Sequence, residues 1–279
     1  MPLQHKRRLF RLLTYPEPYR ARLFRDIIRR LRLGNYLQRL EIDAVERPWY
    51  GWCVYHAAIQ AQALGHTAIT VVEMGVAGGN GLLCLCDHAD EVKRLTGVDI
   101  KVYGFDTGRG LPPTDDPRDL LYCWPARSFE MNIDRLRERM RSRTTLMLGD
   151  VRETVAGFQP PKTAPLGAVF FDLDLYTSTI AALGILDVSE RLPRMWCYFD
   201  DIIGFPENLY CERNGERAAI NEYNALRCNH AILSPAHCFA DKPIPRYWHH
   251  QIFIDHRFEH PAYNRCLSKE LHQLPLTDT

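Results

Sequence analysis

From Val71 to Gly81 the chain reads Val-Val-Glu-Met-Gly-Val-Ala-Gly-Gly-Asn-Gly, an apolar stretch of strand length that breaks into glycines and enters a helical pattern at Leu82. Strand, tight turn, helix is the opening of a parallel α/β unit, and it restricts the chain to folds in which crossover helices wind a sheet. Glycines let the backbone bend sharply and approach a ligand, while the helix behind them offers unpaired N–H groups at its start. A ligand is then expected at the carboxyl end of the strand. Ala77 stands where a dinucleotide fingerprint places its second glycine, which argues against a dinucleotide. The plainer reading, a turn that uses glycine for geometry alone, stays open at this point.

The rest of the chain continues the alternation. Strand-length apolar runs are predicted at Thr67–Glu73, Val98–Phe105, Thr144–Leu148, Gly167–Asp172 and Met195–Asp200, with closing strands at Ala231–Leu233 and Gln251–Asp255. Helical periodicity falls at Leu82–Leu95, Ser128–Met140, Tyr176–Arg191 and Glu212–Arg227. The expected architecture is an α/β, Rossmann-like, seven-stranded and mostly parallel sheet with helices on both faces, over residues 67–279, preceded by an N-terminal helical extension over 1–66. Pro112–Pro125, rich in Pro and Asp, is expected to be the mobile loop.

Composition removes several function classes. The chain has 279 residues, 46% of them hydrophobic and 25% charged, as expected of a globular protein with a sizeable core. No apolar run reaches the length of about 18 residues needed to span a bilayer, and Met1–Arg20 lacks the apolar stretch of a signal peptide, so a cytoplasmic protein is expected. Nine cysteines, an odd number scattered through apolar segments, are expected to be reduced and mostly buried, and the Cys84/Cys86 pair points to different faces of a helix rather than to a metal. A net charge of +1 gives no sign of a nucleic-acid partner.

The N-terminal stretch is locally basic, through Lys6, Arg7, Arg8 and Arg11 and then Arg20, Arg22, Arg25, Arg29, Arg30 and Arg32. Phe24, Ile27, Ile28 and Leu31 recur at helical spacing between Pro18 and Gly34, predicting a basic amphipathic helix. It suits packing on the domain or on a second subunit in a homo-oligomer. An anionic membrane surface, a polyanionic partner or a cover over the site are the functional alternatives.

Acidic residues at strand ends carry the chemistry. Asp106 ends the second strand, where a carboxylate accepts the hydroxyls of an adenosine ribose. Asp150 follows the third, where an adenine edge would lie, and with Glu153 it also reads as a helix cap. Asp172 and Asp174 follow the fourth strand, and Asp200 and Asp201 the fifth. Carboxyl ends of adjacent parallel strands sit together, and four like charges there call for a hard divalent cation such as Mg²⁺, with Asp172, Asp200 and Asp201 as oxygen ligands. Helix capping is the structural alternative for any one of them.

In this order, Glu73-Met74-Gly75-Val76, Gly104-Phe105-Asp106-Thr107 with Gly110-Leu111-Pro112, Asp172-Leu173-Asp174-Leu175-Tyr176 with Ser178-Thr179, and Asp200-Asp201 resemble the macrocin O-methyltransferase-like family, over roughly Val71 to Ala225. Those enzymes are class I methyltransferases that use S-adenosylmethionine and Mg²⁺ to methylate sugar hydroxyls on macrolide and aminocoumarin antibiotics. The resemblance implies a sugar-containing small-molecule hydroxyl acceptor, Asp172, Asp200 and Asp201 as metal ligands, and Asp174 as general base. It also implies that Glu73, Gly75 and Asp106 hold the cofactor. Met74, Gly79, Thr107, Asp150, Val151 and Ser178 complete the candidate cofactor set. Two positions depart from the pattern: Leu173 stands where the family often has Gly, and Ala77-Gly78 replaces a bulkier pair.

Leu175 replaces the lysine of catechol-type metal methyltransferases, so a polyol hydroxyl fits better than a catechol. His249, His250, His256 and His260 are alternative bases. A metal-dependent glycosyltransferase built on Asp172-Leu173-Asp174 and a non-enzymatic binding protein attached through the basic helix are the rival functions.

Overall fold

The computed structural model describes residues 19–140, 142, 144–227, 229–239, 242 and 244–267. The basic residues Lys6, Arg7, Arg8 and Arg11 lie outside them. Three helices precede the sheet: α1 (Tyr19–Leu31), α2 (Tyr36–Glu41) and α3 (Pro48–Leu64). The alternating part follows as β1 (Ala68–Met74), α4 (Asn80–Thr96), β2 (Asp99–Asp106), α5 (Ile133–Arg139), β3 (Thr144–Leu148), α6 (Val151–Thr154) and β4 (Leu166–Phe171). It closes with α7 (Tyr176–Ala182), β5 (Arg191–Phe199), α8 (Gly215–Arg227), β6 (Ala231–Pro235) and β7 (Ile252–Arg257).

The seven strands form one sheet in the order β3-β2-β1-β4-β5-β7-β6. The first five run parallel, and β7 is antiparallel to both β5 and β6. The chain leaves β1 towards β2 and β3 on one side, then crosses back to lay β4 on the other side of β1. Helices on either side of such a reversal diverge, and a crevice opens beyond the carboxyl ends of β1 and β4. All of β4 and the last six residues of β1 are buried, which is why these strands read as unbroken apolar runs rather than as alternation.

Helix α3 has almost no polar face, because its partly exposed side is aromatic and aliphatic as well. It packs on β1, β4, β5 and α4, and Tyr50, Cys53, Val54, Ala57, Ala58 and Ala61 are fully buried. Its outward positions carry the apolar Trp49, Trp52, Tyr55 and Ile59, so it lacks the 3.6-residue stripe that marks a surface helix and periodicity alone misses it. The N-terminal segment therefore ends as part of the core that holds the sheet. In contrast, α1 exposes Phe24, Ile27 and Leu31 along with its arginines.

Some predicted boundaries move for identifiable reasons. The helix expected from Ser128 begins at Ile133, because Arg127 and Phe129 take positive φ and the Asn132 side chain caps the Arg135 N–H. The helix expected to reach Arg191 ends at Ala182, tightens into a 3₁₀ turn over Leu183–Asp187, and gives way to β5. Arg191 is buried and pairs with the buried Asp255 across 2.6 Å, tying the start of β5 to the antiparallel β7. The Pro/Asp loop is pinned. Fully buried Asp119 accepts from Thr114 Oγ1 at 2.6 Å and from the Thr177 N–H and Oγ1 at 2.8 and 2.7 Å, fastening the loop to the first turn of α7. Cys53, Cys84, Cys86 and Cys197 are buried free thiols, and among the described residues no helix is long and apolar enough to cross a membrane.

Candidate active site

A cavity of about 590 Å³ lies at the carboxyl ends of β1, β2, β4 and β5. Gly75, Asp106, Asp150 and Ser178, the apolar Leu111, Trp124 and Phe129, and the aspartates that follow β4 and β5 all line it.

Asp172, Asp200 and Asp201 each bring an oxygen to within 4.8 Å of the other two. The parallel register produces this: Phe171 pairs with Phe199, so the residues leaving the two strands emerge side by side. Further bonds fix the cluster. The Tyr198 hydroxyl donates to Asp200 Oδ1 at 2.5 Å, the Tyr210 hydroxyl to Asp201 Oδ1 at 3.2 Å, and the Asp174 N–H to Asp201 Oδ2 at 3.2 Å. Behind the cluster, fully buried Glu216 on α8 accepts from the Asp201 N–H at 2.9 Å and more weakly from the Leu173 N–H at 3.5 Å, holding the ends of β4 and β5 together.

Asp172, Asp174 and Asp201 are forced towards their neutral form. Burial and then the charges of Asp200 and Asp201 raise the Asp172 pKa, while burial, Asp174 and Asp200 raise that of Asp201. Asp174 is pushed up to about 8 by burial and by the charges of Asp172 and Asp200. Asp174 also takes φ +60°, a left-handed conformation that costs a non-glycine residue about 1–2 kcal/mol and that persists where surroundings impose it. Three converging carboxylate oxygens that repel one another are a donor set suited to a hard divalent cation.

The glycine-rich turn is held from beneath. Gly75 takes φ +85°, and a Cβ there would lie 1.8 Å from the Asp172 carbonyl oxygen, so only glycine lets β1 and β4 end this close together. Asp106 Oδ2 accepts from the Val76 and Ala77 N–H groups at 2.9 and 2.8 Å, and Oδ1 from the Gly108 N–H at 2.6 Å. Its carboxylate thus shapes the turn while facing the cavity, and Oδ1 keeps acceptor capacity for a ligand hydroxyl. Thr107 lines the cavity and spends its hydroxyl on the Gly110 carbonyl oxygen. Asp150 caps α6 and pairs with Arg152 at 2.5 Å, so the capping reading of this residue holds, and Val151 lines the wall beside it.

Glu73, Met74 and Gly79 do not line the cavity. Met74 is core, and a Cβ on Gly79 would meet Leu136 at 2.3 Å. Glu73 is buried beneath the turn, where Tyr50 of α3 donates to its Oε1 at 2.7 Å, while Oε2 has no hydrogen-bond partner among the described residues. Burial pushes the Glu73 carboxyl up to about 8 against the opposing effects of the Tyr50 hydrogen bond and of Arg47. None of His249, His250, His256 or His260 lines the cavity. His249 stacks on Phe239 and His256 hydrogen-bonds the Tyr263 hydroxyl, both away from the aspartates.

Sequence reasoning misses Glu216, Tyr198, Tyr210, Tyr50 and Trp124. The tyrosine and Glu216 contacts depend on folding, and no local pattern marks them. Trp124, on the cavity wall with an unpartnered Nε1 donor, sits in a Pro-rich loop where a large aromatic is the one visible signal.

No protein-family model matches the chain, and no curated protein does so either. Solved structures do. The calicheamicin methyltransferase CalS11 aligns at 19% identity over 91% of each chain, with a TM-score of 0.49. The O-methyltransferase TomG from Streptomyces achromogenes, involved in tomaymycin synthesis, aligns at 14% identity over 81% of this chain and 86% of its own, with a TM-score of 0.41. At such values the strand order, rather than the alignments, carries the assignment. Five parallel strands wound from β1 outwards in both directions, with an antiparallel β7 inserted between β5 and β6, give this chain the Rossmann-like fold of class I methyltransferases.

Proposed function

We propose that this protein is an S-adenosylmethionine-dependent O-methyltransferase acting on a hydroxyl of a sugar or related small molecule, with a divalent cation, Mg²⁺ in the first instance, at Asp172, Asp200 and Asp201. The convergence of these three carboxylates in a cavity that Gly75 of the glycine turn and Asp106 also line carries the reading. The turn's backbone, Asp106, Asp150, Val151 and Ser178 suit an adenosine, and Leu111, Trp124 and Phe129 offer apolar faces and one unpartnered N–H to a polyol. When bound, the cation would lower the pKa of a coordinated hydroxyl. Asp174, at the end of β4 beside the ligand set, accepts the proton that the hydroxyl gives up as its oxygen takes the methyl group from the sulfonium. The pinned loop and the fixed strand ends hold donor and acceptor in line, which for methyl transfer is most of the catalysis.

Calorimetry on the full chain tests the reading. S-adenosylhomocysteine is expected to bind and a uridine diphosphate is not; the reverse would make the protein a metal-dependent glycosyltransferase. Transfer of a labelled methyl group to a sugar acceptor, lost on chelation and in Asp174→Asn, would complete the case. Unchanged turnover in Asp174→Asn would remove that residue from the chemistry.

A further inference from the structure

Helix α1 is turned the wrong way round for a surface helix. Leu23, Phe24, Ile27 and Leu31 fall on one stripe at helical spacing, and Arg22, Arg25, Asp26 and Arg29 fall on the opposite one. A helix at the surface of a globular domain buries the apolar stripe and leaves the charged one in water. Here the reverse is found. Phe24 is 62% and Leu31 65% exposed, with Leu23 and Ile27 also open, whereas Arg22, Arg25 and Asp26 are half-buried. Arg29 pairs with Asp26 at 3.6 Å along the inner stripe. Among the described residues no strand and no other helix packs broadly along α1. A contiguous apolar stripe held out to water marks a surface that binds something.

The charge on the helix selects what covers it. Residues 19–33 hold six arginines against the single acid Asp26, and Arg20, Arg30 and Arg32 are exposed around the apolar stripe. The chain upstream adds Lys6, Arg7, Arg8 and Arg11 of the same sign. A second copy docked through the same face would bring two such sets of cations together, which like-charge repulsion opposes. An anionic bilayer surface meets both features at once. The stripe enters the boundary between headgroups and acyl chains, while the arginines reach back to the phosphates with their aliphatic stems along the apolar zone. At 13 residues the helix is about 20 Å long, too short to cross a hydrocarbon core of about 30 Å, so it lies in the interface plane. We propose that α1 is an interfacial helix that seats the protein on anionic lipid through Leu23, Phe24, Ile27 and Leu31. The proposal stands apart from the reaction at the aspartates.

Vesicle flotation of the full chain tests it, with mixed phosphatidylglycerol and phosphatidylcholine set against phosphatidylcholine alone. At low salt the mixed vesicles are expected to bind about a hundredfold more tightly, the effect of three arginines near an anionic surface, and the gap should close as salt is raised. Phe24→Gln/Leu31→Gln keeps good helix formers at two exposed positions, so it should unfold with the wild type on heating. Its binding to the mixed vesicles should fall by roughly tenfold or more, because interfacial binding scales with buried apolar area. Phe24→Leu/Leu31→Met should float as the wild type does. A wild type that floats with neither vesicle, or equally with both, overturns the proposal. So does a glutamine variant that floats undiminished, since binding would then follow charge alone, as to a polyanion, or lie outside α1. Sedimentation without lipid closes the remaining route: a wild-type dimer that the glutamine variant converts to monomers would give this face to a second copy and overturn the membrane reading.

Discussion

The hydroxyl of Tyr50 donates to Glu73 Oε1 across 2.7 Å, joining a helix that precedes the sheet to the end of β1. The carboxyl it meets has its pKa pushed up to about 8 from an ordinary 4.5. A carboxyl whose pKa is higher in the folded state binds its proton more tightly there. Its contribution to stability is complete below about pH 4.5 and is lost as pH rises through about 8. Glu73→Gln keeps the acceptor for Tyr50 and removes the charge. It is expected to melt with the wild type at pH 4 and to be more stable by a few kcal/mol at pH 9, read by thermal unfolding across that range. A variant less stable than the wild type at pH 9 would show that the buried charge has a partner after all.

The three-aspartate site leads to a second expectation. Cation-free protein holds mutually repelling acids, so Mg²⁺ at about a hundred times its dissociation constant should stabilise the fold by about 2.7 kcal/mol, or roughly 5–10 °C in melting temperature. Asp172→Asn, Asp200→Asn and Asp201→Asn should each abolish the shift, and the first and last should melt higher than the wild type without cation, because burial and neighbouring charge already disfavour their ionised form. An undiminished Mg²⁺ shift in all three variants would place the cation elsewhere.

Gly75→Ala should be severe. It sets a side chain at φ +85° and drives its Cβ to 1.8 Å from the Asp172 carbonyl oxygen, backbone that cannot swing aside. A loss on the order of 3 kcal/mol or more is expected. In whatever folds, Mg²⁺ affinity should fall as well, since the end of β4 must move. Chemical denaturation and cation titration of the same sample read both effects.

Asp255→Ala should cost about 3–5 kcal/mol, because it strands the buried guanidinium of Arg191 and leaves the Tyr223 hydroxyl without its acceptor. Replacing Arg191 and Asp255 together by Met and Leu should recover most of the loss. A double variant no better than the single one would mean that the pair is needed to seat β7, not merely balanced within it.

Much of this site could be read before folding because parallel strands place their ends in a row. Asp106, Asp172 and Asp200 each stand at or just beyond the last residue of an apolar run, and the sheet turns that position in sequence into proximity in space. The same logic finds Gly75. It does not find Glu216, which lies fifteen positions beyond Asp201 on a helix and reaches back to two backbone N–H groups, nor Tyr50, which arrives from the segment expected to be an extension. Glu73, Met74 and Gly79 lie off the cavity, since a residue of a glycine turn can serve by packing under it. The helix over Pro48–Leu64 escaped periodicity because apolar residues such as Trp52, Tyr55 and Ile59 on its outer side erase the stripe that periodicity detects.

Asp174 has a left-handed backbone and a buried side chain, so for stability alone glycine or asparagine would serve this position better. A copy of this gene released from selection for its chemistry would gain from that exchange at once and lose nothing in its fold. If Asp174 is the proposed base, position 174 is a place where decay would begin, and an aspartate still standing there would mark a lineage in which the reaction continues to matter.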